Sequence, residues 1–200
     1  IESDIKSLNE KSFPVLDDAR GEEMAQRILK AREEADSVGG VTETVICGVP
    51  AGVGEPWFDS VESIISHAAF SLGGVKGIEF GAGFAAADMK GSECNDPLRV
   101  SGGRIVTTTN NNGGINGGIT NGMPIVFRCA VKPTPSIAQQ QDTVDFIKNE
   151  NTQLSIHGRH DPAIIRRICP VLDSVAALCV ADMLSLRYGT DVLTKGVDDK

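Results

Sequence analysis

Positive charge in excess, paired cysteines and long apolar runs are all missing from this sequence. Nineteen Lys and Arg stand against 27 Asp and Glu, which gives a formal net charge of -8 and a pI of about 4.9. Because a broadly acidic surface repels nucleic acid and anionic membranes, neither is expected as a partner. Any anionic ligand must therefore be held by local groups.

The cysteine pattern and the hydropathy exclude further classes. The five cysteines are odd in number and form no CxxC pair, so neither a disulfide framework nor a metal site is indicated. No apolar run approaches the roughly 20 residues that a membrane span requires. Ile1–Glu10 has neither a charged leader nor a signal-type apolar core. We expect a cytoplasmic protein.

The composition is that of an ordinary globular protein. With 200 residues, 40% of them hydrophobic and 23% charged, the chain suits one well-packed domain or two small ones. The first residue is not Met, and Ile1–Leu8 has the character of a short strand. We therefore expect a fragment of a larger protein.

Local patterns predict an irregular mixture of helices and strands. Asp17 and Asp18 indicate the start of a surface helix over Gly21–Ser37. β-branched residues predict a strand at Val41–Gly48, and the prolines and glycines that follow predict a loop at Pro50–Pro56. Further predicted elements are a helix from Phe58 to Leu72 and strands at Val75–Phe80 and Ile125–Val131.

The final predicted helix has the strongest periodic pattern. Asp161 is predicted as its N-cap, with Pro162 at the first helical position. Pro170 should kink or divide this helix, because proline removes one helical hydrogen bond. The predicted buried face consists of Ile164, Ile168, Val171, Leu172, Val175, Cys179 and Met183.

Glycine and asparagine are concentrated between Gly102 and Gly122. Interruption by Ile115 and Ile119 indicates ordered backbone in unusual conformations, with a disordered hinge as the alternative. The run Gly113–Gly118 fits neither the dinucleotide fingerprint nor the Walker pattern, because a strand follows it and no GKS or GKT triplet is present. It is either an anion-binding nest of backbone amides or a structural bend.

A second candidate segment, Lys132-Pro133-Thr134-Pro135-Ser136, directly follows a predicted strand. Two prolines restrict its backbone, so an ammonium group and two hydroxyls are presented with little conformational freedom left to lose. Such an arrangement suits phosphate binding. The alternative is a structural turn with a solvated Lys132.

The third candidate segment is Gly158–Pro162. Arg159, His160 and Asp161 precede a predicted helix N-terminus, where the helix dipole favours anions. Alternatively, Asp161 only caps the helix while Arg159 and His160 face solvent. The remaining histidines are weaker candidates, since His67 lies inside an amphipathic helix and His157 has no evident partner.

Five blocks of this sequence occur in an order that resembles the C-terminal portion of the chorismate synthase family. They are GVPAGVGEP, SLGGVKGIEFGAGF, KGSECND, NNNGGINGGITNGMPIVFRCAVKPTPSI and GRHDP…RRICPVLDSVAALCVADML. Five separated blocks are far more specific than one glycine motif. The resemblance implies a truncated α+β fold, a sandwich of antiparallel β-sheets and helices, and a homotetramer. Residues 1–200 would be the C-terminal part of one such domain.

The resemblance also implies a reaction. The family converts 5-enolpyruvylshikimate 3-phosphate to chorismate by 1,4-anti elimination of phosphate, a carbon-oxygen lyase step of the shikimate pathway to aromatic amino acids. Its cofactor is reduced FMN, which is held to lend electron density transiently to the breaking C–O bond.

Individual residues match the family's flavin site by position. Gly73, Gly74 and Gly117 resemble the places where backbone approaches the flavin. Lys132, Pro133, Thr134, Pro135 and Ser136 resemble the loop that binds the FMN phosphate. Arg159 resembles the arginine near flavin and substrate, and Asp161 resembles the catalytic aspartate that assists proton transfer at the flavin N5.

The sequence departs from the family pattern at two positions. Asp173 stands where Glu is usual, and Gly73 stands where relatives carry other residues. The family's two catalytic histidines and its N-terminal motifs would lie before Ile1, so the chain alone is expected to be inactive. The alternative is a non-catalytic flavin- or phosphate-binding module.

Overall fold

The computed structural model describes residues 2–196, which form helices and small sheets. The helices are α1 (Glu2–Glu10), α2 (Asp18–Glu33), α3 (Val61–Phe70), α4 (Gly91–Cys94), α5 (Ile165–Tyr188) and α6 (Val192–Lys195). The strands are β1 (Gly40–Ile46), β2 (Val75–Phe80), β3 (Leu98–Ser101), β4 (Arg104–Thr107), β5 (Ile115–Asn116), β6 (Ile119–Thr120), β7 (Ile125–Val131), β8 (Gln141–Asp145) and β9 (Glu150–Leu154). The predicted α+β class is confirmed.

The chain divides into two compact units. The first contains the residues up to Gly40 together with Val131–Ile168. The second contains Val41–Ala130 together with the residues from Cys169 onward.

The second unit has a core built on the sheet of β1, β7 and β2, which lie in that order. Ile125, Phe127 and Cys129 are buried at alternate positions of β7, as expected for a strand with one face in a core. Helix α3 contacts β2 and buries Val61 and Ile65. Burial of an aliphatic or aromatic side chain stabilises a fold by about 1.5–3 kcal/mol, so this cluster holds the unit together.

Short antiparallel hairpins join β3 to β4, β5 to β6 and β8 to β9. The sequence patterns did not predict β3, β4, β8 or β9. Every residue of β3 and of β9 is exposed, so neither strand has the alternation of apolar and polar residues that marks a half-buried strand. By contrast, β2 and β7 have the predicted bounds.

The N-terminal segment shows one wrong prediction and one confirmed signal. The strand predicted at Ile1–Leu8 is wrong, because α1 is a helix with Ile5 and Leu8 half-buried three residues apart. Helix α2 begins and ends earlier than predicted. The Asp17 carboxylate caps it by accepting hydrogen bonds from the backbone N–H groups of Ala19 and Arg20, as its position had indicated.

Helix α5 differs from its prediction at its start. It begins at Ile165 rather than after Asp161, and the carbonyl of Ile164 accepts from the N–H groups of Arg167 and Ile168. The N-cap assignment of Asp161 is therefore wrong. The helix runs through Pro170, so the predicted division at this residue is wrong.

The buried face of α5 is also shifted from the predicted one. Its buried residues are Ile168, Leu172, Ala176, Val180 and Met183, whereas Val171 is 43% exposed. Spacings of four and three keep these residues on one side of the helix. Contrary to the expectation from the sequence, α5 has the length and apolar composition of a membrane span, which is weak evidence because a core helix of a water-soluble protein can have both.

Candidate functional site

The turn Lys132–Ser136 is held by the chain that follows α2. Ser37 Oγ donates a hydrogen bond of 2.6 Å to the carbonyl of Thr134. A Cβ at Gly39 would lie 2.2 Å from the carbonyl oxygen of Val131, so only glycine permits this backbone approach. With two prolines inside it, the turn has a defined conformation before any ligand arrives.

Hydrogen-bonding capacity in this turn is not fully used. Thr134 Oγ1 is buried and has no hydrogen-bond partner among the described residues. Lys132 is exposed, and no described side chain pairs with its ammonium group. Leaving a buried hydroxyl unpaired is unfavourable in a folded protein. A hydroxyl and an ammonium group without partners fit the acceptor oxygens and negative charge of a phosphate.

His160 is the partner of this turn that the sequence did not reveal. Its Nδ1 lies 3.2 Å from Ser136 Oγ, and its Nε2 lies 2.9 Å from the carbonyl oxygen of Ile156. The residue is partly buried rather than facing solvent. It therefore joins the candidate segment around Gly158 to the candidate turn.

Arg159 and Asp161, the residues next to His160 in the sequence, do not share its contacts. Arg159 is exposed and forms no hydrogen bond or ion pair within residues 2–196. The Asp161 carboxylate accepts a hydrogen bond from the N–H of Ala163 at 3.2 Å, and its other oxygen lies 3.1 Å from an Arg167 nitrogen. That second contact is an ion pair without the alignment of a hydrogen bond, because the same oxygen, Oδ2, lacks a hydrogen-bond partner among the described residues. The predicted cluster of a carboxylate, an imidazole and a guanidinium is thus adjacent in sequence but divided among different contacts.

The glycine candidates lie in the second unit. A Cβ at Gly73 or Gly117 would meet nothing within 4 Å, so open space lies beside both. Gly74 has a φ of 103° and Gly117 a φ of 60°, conformations that favour glycine. Gly113, by contrast, is required by packing, since a Cβ there would lie 2.5 Å from the backbone nitrogen of Gly81. The open space at Gly73 and Gly117 is available to a ligand.

Asp96 orders the Asn-rich segment that precedes Gly113, a role that the sequence patterns did not indicate. Its carboxylate accepts from the hydroxyl of Thr109 at 2.8 Å, from the N–H of Asn111 at 2.7 Å, and from the N–H and side-chain amide of Asn112 at 2.9 and 2.8 Å. Burial alone would raise the pKa of Asp96, but the hydrogen bonds from Asn112, Thr109 and Asn111 outweigh it and lower the pKa. The segment is therefore ordered, and the disordered-hinge alternative is wrong.

Two thiols of the second unit, Cys129 and Cys179, are not prepared for nucleophilic chemistry. Burial raises the pKa of Cys129 to about 11. Burial, with the nearby charge of Asp182, also raises the pKa of Cys179. A thiol that stays protonated is a poor nucleophile. Within residues 2–196, no group of three or more His, Cys, Asp or Glu side chains is arranged to hold a metal ion.

Comparison with known proteins covers most of the chain. A family model described as chorismate synthase matches residues 1–185. The chorismate synthases of Methanosarcina acetivorans and Korarchaeum cryptofilum are 51% and 50% identical to the chain over 168 and 166 residues. These matches cover 84% and 82% of this chain but 46% of each relative. The chain thus spans about half the length of these relatives.

A solved structure gives the same result for the fold. The crystal structure of a chorismate synthase matches with a TM-score of 0.76 and 29% sequence identity. The match covers 96% of this chain and 50% of the other.

Proposed function

Because the chain belongs to the chorismate synthase family, we propose that it is the C-terminal part of a single chorismate synthase domain and holds the phosphate of reduced FMN. The activity proposed for the whole protein is the 1,4-anti elimination of phosphate from 5-enolpyruvylshikimate 3-phosphate to give chorismate. This is a carbon-oxygen lyase step of the shikimate pathway, on the route to aromatic amino acids. Reduced FMN supplies the electron density for this step.

The residues of this chain have distinct tasks in the proposal. Lys132, Thr134 and Ser136 bind the phosphate through charge and hydroxyl groups, while Pro133 and Pro135 keep the turn rigid. Arg159 has no partner among the described residues and is available to an anionic ligand. Asp161 holds or transfers a proton close to the cofactor. In the second unit, considered by itself, Gly73, Gly74 and Gly117 leave their own backbone open to close approach by a ligand.

One observation carries the phosphate assignment. A buried hydroxyl without a hydrogen-bond partner, Thr134 Oγ1, lies in a turn that also presents an unpaired Lys132. Buried polar groups almost always have partners in a native protein. A bound phosphate would provide the missing partner.

Titration of the chain with FMN and with riboflavin tests this assignment, since the two ligands differ only in the phosphate. We expect Lys132→Ala to weaken FMN binding by about tenfold, as for loss of a charged contact of this kind, and to leave riboflavin binding unchanged. Lys76→Ala is the matched control, because Lys76 is exposed in the second unit. An FMN affinity that is unchanged by Lys132→Ala would contradict the assignment.

Activity separates the enzyme from the alternative of a non-catalytic flavin- or phosphate-binding module. Residues 1–200 alone are expected to yield no chorismate from the substrate and reduced FMN. A chimera that adds the remaining half of the Methanosarcina acetivorans relative is expected to yield chorismate. A folded chimera that binds FMN but does not turn over would favour the module, and turnover by residues 1–200 alone would refute the expected inactivity.

We further propose that the whole protein is a homotetramer in the cytoplasm. Leu178 and Leu186 on α5 are 71% and 78% exposed, and Trp57, Phe58 and Phe84 are also exposed. Exposed apolar side chains of this size are available for contacts with other protein. Light scattering on the whole protein tests the tetramer.

A further inference from the structure

The hydrogen bonds of a neutral His160 determine in which direction the hydroxyl proton of Ser136 points. A carbonyl oxygen can only accept, so the contact of 2.9 Å between Nε2 and the Ile156 carbonyl places a proton on Nε2. In a neutral imidazole the other nitrogen is then an acceptor. In the neutral form of the ring, Ser136 donates its hydroxyl proton to Nδ1 across 3.2 Å, and that proton is then not available to a ligand.

A phosphate dianion needs the same proton. Its oxygens are acceptors, so Ser136 can bind it only by turning its hydroxyl proton toward it. Neutral His160 would then keep an acceptor nitrogen without a donor in a partly buried place, which is unfavourable. Protonated His160 donates through both nitrogens, so it can donate to Ser136 and the Ile156 carbonyl while Ser136 donates to the phosphate.

We propose that His160 is a positioning residue for the phosphate site and that binding of a phosphate at Lys132–Ser136 takes up a proton on its ring. The inference rests on the proposed FMN-phosphate function of the turn and adds a residue and a pH dependence to it. Affinity for a phosphate-bearing ligand then rises as the pH falls, because the ligand and the proton favour the same state.

Other charged groups lie on the segments around His160. They are Glu34 and Asp36 after α2, Lys132 in the turn, His157, Arg159 and Asp161 beside His160, and Arg167 on α5. Histidine is the residue type whose charge ordinarily changes between pH 5 and 8. His157 is exposed, whereas His160 contacts the turn, so His157 serves as the control.

The test is an FMN titration of the 200-residue chain at several pH values from 8 to 6, compared with His160→Gln. Glutamine keeps an amide that can donate to the Ile156 carbonyl but does not gain a proton in this range. We expect wild-type affinity to rise by about tenfold relative to the variant over this interval, in line with uptake of up to one proton. Dividing the wild-type affinity by the His160→Gln affinity at each pH cancels the effect of the phosphate's own titration, because its second pKa of about 6 affects both proteins equally.

Two further variants show which contact is responsible. His157→Gln should follow the wild-type pH profile. Ser136→Ala should remove the same pH dependence as His160→Gln, and the double variant should show no additional loss. A His160→Gln profile parallel to that of the wild type would overturn the inference, as would a pH dependence that survives Ser136→Ala.

A measurement on the wild type avoids any folding defect of the variants. Nitrogen-15 NMR of the histidine side chains, recorded at one fixed pH, should show a larger protonated fraction of His160 after FMN addition than in the free chain, and the proton of its neutral form should lie on Nε2. Riboflavin should cause no such change. If FMN leaves the protonation of His160 unchanged although Lys132→Ala weakens FMN binding, only the inference fails. If Lys132→Ala leaves FMN binding unchanged, the proposed function fails as well.

Discussion

In the turn Lys132–Ser136 a buried hydroxyl and an ammonium group lack partners, whereas in the segment Thr107–Gly122 nearly every polar group is used by the protein itself. Thr134 Oγ1 has no partner among the described residues. Thr120, a buried residue, donates through its hydroxyl to the Pro50 carbonyl at 2.6 Å and accepts from the Val53 N–H at 2.9 Å. A buried hydroxyl without a hydrogen-bond partner slightly lowers the stability of the free protein. It contributes favourably to binding when a ligand supplies the partner. Under the proposed function, this difference distinguishes the phosphate-binding turn from a segment that only supports the fold.

The largest effect is expected from glycines of the supporting segment. In Gly113→Ala the new methyl group would lie 2.5 Å from the Gly81 nitrogen in a residue with a φ of 61°. Backbone cannot move away as a side-chain tip can. We expect the free energy of unfolding to fall by about 3 kcal/mol or more, from strain and overlap together, as measured by urea denaturation.

Gly117→Ala is the matched control for this prediction. Its φ of 60° is nearly the same, but a Cβ there meets nothing within 4 Å. Only the cost of the left-handed conformation should lower the free energy of unfolding in this variant, by about 1–2 kcal/mol. Equal losses in the two variants would mean that close packing of the segment is not what requires Gly113.

Of the two strands that the sequence predicted with the observed bounds, β7 has burial that follows a local period, whereas β2 does not. β7 was predicted to the residue because its apolar side chains alternate between core and surface. β8 and β9 went unpredicted because their exposed residues have no such pattern. Asp161 was assigned as an N-cap from its residue type and from the Pro162 that follows it. Its carboxylate does accept a nearby N–H, that of Ala163, although the helix starts later. The local signal thus predicted the hydrogen-bonding capacity of Asp161 better than its place in an element.

The candidate site was predictable only in its parts. The resemblance identified the turn and the residues around Asp161, but the contact of Ser136 with His160 joins positions 24 residues apart. No spacing rule for helices or strands connects such positions. The missing partner of Thr134 likewise depends on what folding brings near it, which its neighbours in sequence do not determine. The role of Asp96 is of the same kind, since its partners lie 13 to 16 residues further along the chain.

The second prediction compares the two buried threonines directly. Thr120→Val leaves the Pro50 carbonyl and the Val53 N–H without a partner, so the free energy of unfolding should fall by about 2 kcal/mol. Thr134→Val removes a hydroxyl that has no partner among the described residues, so stability should be unchanged or rise by up to about 1 kcal/mol. FMN affinity should nevertheless drop in Thr134→Val. A clear loss of stability in Thr134→Val would show that its hydroxyl is already bonded in the free protein.

The smallest effect should come from the charge that organises the supporting segment. Asp96→Asn replaces one acceptor oxygen with a donor that faces the donors of Asn112, and the expected loss is about 1 kcal/mol near neutral pH, limited by solvent access to the carboxylate. Because the pKa of Asp96 is lowered in the folded chain, its contribution is complete above the unfolded pKa of about 4 and disappears as the pH falls through the folded value. The gap between wild type and Asp96→Asn should therefore close in acid, as followed by urea unfolding from pH 7 to pH 3. Asp88→Asn, at an exposed position of the same unit, should show no such gap at any pH. A gap that stayed constant into acid would assign the loss to amide geometry rather than to charge, and the supporting segment would then depend on its shape alone.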